Sequence, residues 1–248
     1  MAILFKGRNE LQERVTAGKK FRSKLITVGI YTTIAFIISL VSVAIFFNAV
    51  TLIIMGFVAS CGIFVMFFIS FTYKRTDIMG LAGEKRALEL LSELEDSYRL
   101  FYSCNIAATG DTRPAQIDVI VCGPTGLYII EIKNRNQHIT GCYTDRQWVQ
   151  HKIGIQGGRY QSEFYSPIKQ IKTHIYKLSN FLKAENARVY ISPIVYFSNP
   201  EATLDVDGGG VSVFEYNNRY AMLDYIGSGH KLDKTQQDKI CDSLMKLL

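Results

Sequence analysis

From Leu25 to Tyr73 the chain carries no charged residue. The first apolar run, 25–47, is long enough as a helix to cross the roughly 30 Å hydrocarbon core of a bilayer. Asn48 interrupts it, and 49–71 is a second run of similar length. A break that tight predicts a helical hairpin. Lys19, Lys20, Arg22 and Lys24 precede it, and Lys74 and Arg75 follow it. Basic residues at both ends place both ends in the cytoplasm, with Asn48 at the far surface. Neither span holds an ionisable residue, so the hairpin reads as an anchor rather than a solute path. The first run is too long for a signal peptide, and a second span follows at once. The expected organisation is a basic segment at 1–24, a transmembrane hairpin at 25–73 and a cytoplasmic domain at 76–248. That is a multi-pass protein of the inner (plasma) membrane, with the lipid bilayer as one partner.

The net charge of +6 is unevenly spread. Seven Lys and Arg against Glu10 and Glu13 put +5 of it before Leu25. The remainder is close to neutral, so the charge is no nucleic-acid footprint on the domain. Residues 1–24 read as a frayed cytoplasmic tail. Five scattered cysteines without Cys-x-x-Cys spacing point to reduced thiols.

Gln116 to Lys133, QIDVIVCGPTGLYIIEIK, organises the domain. Ile117–Cys122 and Leu127–Ile132 are rich in β-branched residues, and Gly123-Pro124-Thr125-Gly126 between them is turn chemistry. Such a hairpin sets Cys122 opposite Leu127, Val121 opposite Tyr128, and Asp118 opposite Glu131. Lys133 follows on the Glu131 face by the period of two. Facing carboxylates are destabilising unless they share a proton or a cation. Hard oxygen ligands at that spacing suit Mg²⁺ or Mn²⁺. A neighbouring lysine can then act on a water or on charge developing at a phosphate.

Asp118…Glu131-Ile132-Lys133 resembles the core of the PD-(D/E)XK, restriction-endonuclease-like superfamily. The wider pattern is closer to its nuclease-related domain (NERD) branch. It comprises Gly83-Glu84, Gln116-Ile117-Asp118, Gly123-Pro124-Thr125-Gly126, Ile130 to Asn134, Trp148 and Ser166-Pro167-Ile168-Lys169-Gln170. Ile117 stands where the superfamily has proline. The resemblance implies an α/β fold, a mixed central sheet flanked by helices, preceded here by the helical hairpin. It implies metal ligation by Asp118, Glu131 and the Ile132 carbonyl, catalysis by Lys133, and support from Glu84 and Gln170. It also implies nucleic acid, DNA in particular, as the substrate.

The remaining patterns are coarser. Residues 79–97 carry an amphipathic helical period, in which Glu84 near the start is equally explained by the helix dipole. Residues 98–104 read as a strand and 105–115 as a polar loop. A strand is expected around 147–151, with Trp148 as core. Ser166-Pro167 is a helix start, with Ser as N-cap and Pro at the first position. That helix is expected to reach about Lys183, with Gln170 in its first turn and His174 able to face the site. Lys177 reads as solvated. Arg188–Phe197 is a strand in which Pro193 argues for an edge or a bulge. Residues 205–210 read as a loop, 211–214 as a short strand, and 218–226 and 234–248 as helices. The expected activity is metal-dependent hydrolysis of a phosphodiester by a membrane-anchored nuclease. The alternative is a tethered nucleic-acid-binding or interaction module that cleaves nothing.

Overall fold

A computed structural model describes residues 1–7, 9–45, 49–72, 75–106, 115–154 and 156–248. The chain divides into two compact units. One joins Met1–Asn9 to Met79–Leu248, and the other is Glu10–Ile78.

The smaller unit is helical. Helix α1 (Glu10–Ile45) is 36 residues long and takes in the basic segment as well as the apolar run. Helix α2 (Ala49–Thr72) packs along it, with Gly62 of α2 lying against Thr32 of α1. The expected reversal at Asn48 lies outside the described residues. Hydroxyls inside these helices bond back to their own backbone: Thr27 donates to the Ser23 carbonyl, Thr33 to Gly29 and Ser60 to Phe57. Such pairing leaves little polar surface on the helix exterior. Ile37 and Phe57 are among the large apolar side chains with no protein covering them. Among the described residues, Leu11–Ile38 is long and apolar enough to cross a membrane, and Gly56–Val65 is a shorter apolar stretch.

The larger unit is mixed α/β, as expected. Its strands are β1 (Ile3–Lys6), β2 (Arg99–Ile106), β3 (Ala115–Gly123), β4 (Gly126–Lys133), β5 (Gln137–Cys142), β6 (Gln147–Ile153), β7 (Arg159–Tyr165), β8 (Ile191–Phe197), β9 (Ala202–Asp207) and β10 (Ser212–Glu215). Its helices are α3 (Arg75–Leu91), α4 (Pro167–Ala184), α5 (Arg219–Gly227) and α6 (Lys234–Met245). Six strands form one sheet in the order β1-β2-β3-β4-β8-β10, and four form a second in the order β7-β6-β5-β9. Helix α3 and α5 cover one face of the six-stranded sheet, packing on Val119, Val121, Tyr128 and Ile130. Helices α4 and α6 cover the other, on Ile120, Cys122, Leu127 and Ile129. Burial on both faces explains why β3 and β4 are nearly continuous apolar runs.

The N-terminal tail is not frayed. Ile3–Lys6 pairs in parallel with Arg99–Tyr102, and Phe5 stacks on Phe101 at 5.0 Å between ring centroids. A branched and aromatic tetrapeptide beside an open sheet edge gains both backbone bonds and apolar burial. The 116–133 hairpin has the expected register at Cys122 opposite Leu127 and Val121 opposite Tyr128, but the ladder ends at Val119 opposite Ile130 and the expected Asp118–Glu131 pair is not formed. Its loop is tighter than expected. Gly123 pairs with Gly126, leaving Pro124-Thr125 as a two-residue turn. Gly126 has φ +129, a conformation that a side chain would strain.

Other differences have local causes. Within 134–165 two strands, β5 and β7, flank the expected one, and β9 occupies much of the expected 205–210 loop. Most of the expected 105–115 loop lies outside the described residues. Strand β8 is interior, between β4 and β10, although it holds Pro193. Ladder pairing to β10 begins only at Ile194, and Lys133 O accepts from Ser198 N. The alternation of a parallel ladder then turns Pro193 away from β4, to a side where β10 has not yet begun. Lys177 is buried on α4 rather than solvated. Trp148 is core, fully buried and stacked on Phe197.

Candidate active site

Strand β3 breaks its pleat at Asp118. On one side Tyr102 pairs with Val119, on the other Cys104 with Ile117, and Ser103 between them has φ +57. Val119 packs into the α3–α5 core, whereas Ile117, two residues earlier, packs into the α4–α6 core. Residues two apart on a regular strand share a face, so the strand turns over at Asp118 while its one-to-one register with β2 is kept. The β3–β4 ladder runs only as far as Val119 opposite Ile130. Beyond it, the Asp118 carboxylate takes the partner strand's place: Oδ2 accepts the Ile132 N–H at 2.8 Å.

Glu131 and Lys133 point to the α4 side of β4. Lys133 Nζ donates to Glu131 Oε1 at 2.7 Å and to Gln170 Oε1 at 2.9 Å. Gln170 is held there by the first turn of α4, where its N–H bonds the Ser166 carbonyl. Ser166 stands at the N-cap position, but its hydroxyl makes no cap bond. One turn further on, His174 Nδ1 lies 3.3 Å from Glu131 Oε2, an ion pair when the imidazole is protonated. The angle does not make it a hydrogen bond, so this buried oxygen has none.

From the opposite face, α3 delivers Glu84, whose Oε2 accepts from Asn9 Nδ2 at 2.9 Å. Gly83 permits that approach. A Cβ there would lie 2.4 Å from Asn134 Cβ and 2.7 Å from Ser198 Oγ. Arg86, one turn on, donates to the Ser198 carbonyl at 2.6 Å and to Asn134 Oδ1 at 3.3 Å, tying α3 to the end of β4.

The three carboxylates feel one another. Burial first, then the Glu131 charge, push the Asp118 carboxyl well above its ordinary range, against Lys133 and the Ile132 N–H. Burial also raises Glu84, opposed by the Asn9 hydrogen bond. Burial works upward on Glu131 as well, but Lys133 and His174 outweigh it and hold that carboxyl below its usual value. Two acids with opposite displacements around one lysine are the arrangement that acid–base chemistry uses.

All five side chains expected from the sequence therefore lie at one end of β3 and β4. The Ile132 carbonyl lies there too. Lys133 O faces β8, so strand alternation turns the Ile132 backbone toward β3 and Asp118. His174 joins them, as its position after Gln170 suggested. Sequence reasoning missed Asn9 and Arg86. Asn9 belongs to a segment read as a tail, and Arg86 to a helix face where a lone arginine carries no signal. Among the described residues no three His, Cys, Asp or Glu side chains cluster as metal ligands. Two carboxylates and a carbonyl are hard oxygens of the kind Mg²⁺ or Mn²⁺ prefers, and one of them, Glu131 Oε2, has no hydrogen bond.

The family model of the nuclease-related domain matches residues 79–198, which contain every one of these residues except Asn9. An uncharacterised protein of Bacillus anthracis is 37% identical over 98 residues, covering 39% of this chain and 43% of that protein. The chain thus spans less than half the length of the relative it matches. No solved structure matches the chain.

Proposed function

We propose that the larger unit is a divalent-metal-dependent nuclease that hydrolyses phosphodiester bonds, with DNA as the substrate class. The match to the nuclease-related domain supports a nuclease-related function. The observation that carries the finer reading is Lys133, whose ammonium bridges Glu131 and Gln170 beside Asp118. Asp118, Glu131 and the Ile132 carbonyl would hold Mg²⁺ or Mn²⁺, which supplies positive charge at the scissile phosphate when bound. Lys133 positions the attacking water and steadies the charge that develops on the phosphate. Gln170 fixes the lysine, and the N-terminus of α4 adds favourable dipole at an anion. Against its burial, Lys133 and then His174 favour the ionised form of Glu131, and Glu84 approaches from the other face.

We read the smaller unit as a two-span anchor in the cytoplasmic membrane. Strand β1 precedes α1 and pairs with β2, which follows α2. Strands of one sheet lie on one side of any bilayer, so the chain between them crosses an even number of times. One crossing by Leu11–Ile38 alone would separate β1 from its sheet, which supports two crossings. Basic residues at both ends support a cytoplasmic location for the larger unit.

The test uses the full chain in detergent with Mg²⁺ or Mn²⁺ and plasmid DNA. Asp118→Ala and Lys133→Ala each lower cleavage by roughly 100-fold or more. Equal rates in all three proteins overturn the assignment. A non-cleaving, nucleic-acid-binding module is the second reading. It is favoured by the ion pair that already occupies Glu131 Oε1 and, among the described residues, by no cluster of three His, Cys, Asp or Glu side chains there. Calorimetry with Mn²⁺ separates the two: the nuclease binds the ion and Asp118→Ala does not.

A further inference from the structure

The β6–β7 hairpin reaches past the core toward the residues that follow Lys133. At its base Trp148 and Phe164 are buried. At its tip Ile153 and Tyr160 are 61% and 54% exposed. Between His151 and Gln161 the sequence has Lys152 and Arg159 and no acid. Lys152 Nζ stands 5.9 Å from the Tyr160 ring centroid. A groove of about 680 Å³ opens here, lined by His138, His151, Lys152, Ile153, Arg159 and Tyr160 among others. The two imidazoles pair across β5 and β6 at 5.4 Å between centroids. Thr140 and Gln161 occupy both nitrogens of His151, at 3.0 and 3.3 Å, so this is not a free pair of metal ligands.

The hairpin is fastened to the catalytic end of β4. Arg135, two residues beyond Lys133, donates to Gln150 Oε1 at 2.9 Å and lies 4.0 Å over the Phe164 ring. Gln150 in turn donates to the Asn136 carbonyl at 2.8 Å. Gln137 accepts the Ile153 N–H at 2.7 Å. The groove, which Gln137 also lines, is therefore joined to Lys133 by the chain through Asn134 to Gln137.

An exposed aromatic face beside two cations, in a groove the size of a small-ligand site, matches the chemistry of an unpaired nucleotide. Duplex bases hide their faces, whereas a single strand offers both a base to stack and a phosphate to pair. We propose that this groove binds a nucleotide of single-stranded nucleic acid, its base on Tyr160 and its phosphate on Lys152 and Arg159, and so guides the strand to Lys133. The choice of nucleic acid as the polyanion rests on the nuclease reading above.

The test is fluorescence anisotropy on the full chain in detergent with EDTA, using labelled oligo-dT, oligo-U and a duplex of equal length. The two single strands distinguish DNA from RNA in the same groove. Tyr160→Ala weakens single-strand binding roughly tenfold, and Tyr160→Phe retains it. Lys152→Ala with Arg159→Ala flattens the salt dependence by about 1.4 in log–log slope. The inference is overturned if neither Tyr160→Ala nor the double variant changes binding, if duplex binds as tightly as single strand, or if anionic vesicles compete while oligonucleotides do not bind. Cleavage that needs Asp118 alongside binding indifferent to Tyr160 sinks this inference and leaves the nuclease standing. Tyr160-dependent binding in a chain that cleaves nothing does the reverse.

Discussion

The β3–β4 and β6–β7 hairpins are both antiparallel pairs, yet they handle polar groups in opposite ways. In β3–β4 the charges lie inside, and each is tied to a partner: Lys133 to Glu131 and Gln170, Asp118 to the Ile132 amide. In β6–β7 the polar and aromatic side chains at the tip face outward. The first hairpin places reactive groups where water is scarce and electrostatics are strong. The second offers surface at little cost to the fold. A charge changed in the first therefore alters stability, and a side chain changed at the tip of the second alters only what the surface meets.

The largest expected effect is at Lys133. Lys133→Met removes the cation from Glu131, which is 1% exposed, and lowers unfolding free energy by about 3 kcal/mol in a denaturant titration. A change under half that size means that water enters the site and the two hairpins are less different than described. Next is Gly141→Ala on β5. A Cβ there falls 2.3 Å from the Trp148 ring, and overpacking at the base of the second hairpin costs about 1–3 kcal/mol.

Asp118→Asn is expected to have the opposite sign. With EDTA present the protein gains about 1 kcal/mol at neutral pH while losing activity, the trade seen where a site holds strained charge. The pH dependence follows. Asp118 and Glu84 have raised folded values, so the folded state binds more protons and stability rises as pH falls through those values toward the ordinary carboxyl range. Glu131 has a lowered folded value, so its contribution is present above the ordinary carboxyl range and is lost as pH falls through the folded one. Thermal unfolding across that range in Asp118→Asn loses most of the first effect and keeps the second. The smallest effect is at Ile153→Ser on the exposed tip, within about 0.5 kcal/mol. A loss several times larger would mean that the second hairpin is buried against a further element.

The same contrast decides what could be read from the sequence. Two-sided burial writes itself as apolar runs, so β3, β4 and the register between them were legible, and with them Asp118, Glu131 and Lys133. The Ser166-Pro167 start of α4 placed Gln170 and His174 through helical spacing alone. Strands β5 and β7 mix polar, aromatic and small residues and bury only part of one face, so no period of two announces them. Strand β9 does alternate, with Ala202, Leu204 and Val206 facing the core, but its aspartates beside Gly208 to Gly210 read as a loop. The turning over of β3 at Asp118 depends on Ser103 in the neighbouring strand, a contact between distant residues that no local pattern records. For the same reason β1 was read as a tail, since what makes Ile3–Lys6 a strand is the edge of β2.

The strand β1 has a consequence for how the molecule is made. It leaves the ribosome ahead of both long helices, yet its hydrogen-bonding partners in β2 are translated only after them. The edge of the sheet cannot be completed until both intervening apolar helices have been translated. Asn9, which grips Glu84, comes into position by the same late closure. A nascent chain that has not yet presented β2 would thus lack both the finished sheet edge and the Asn9–Glu84 contact.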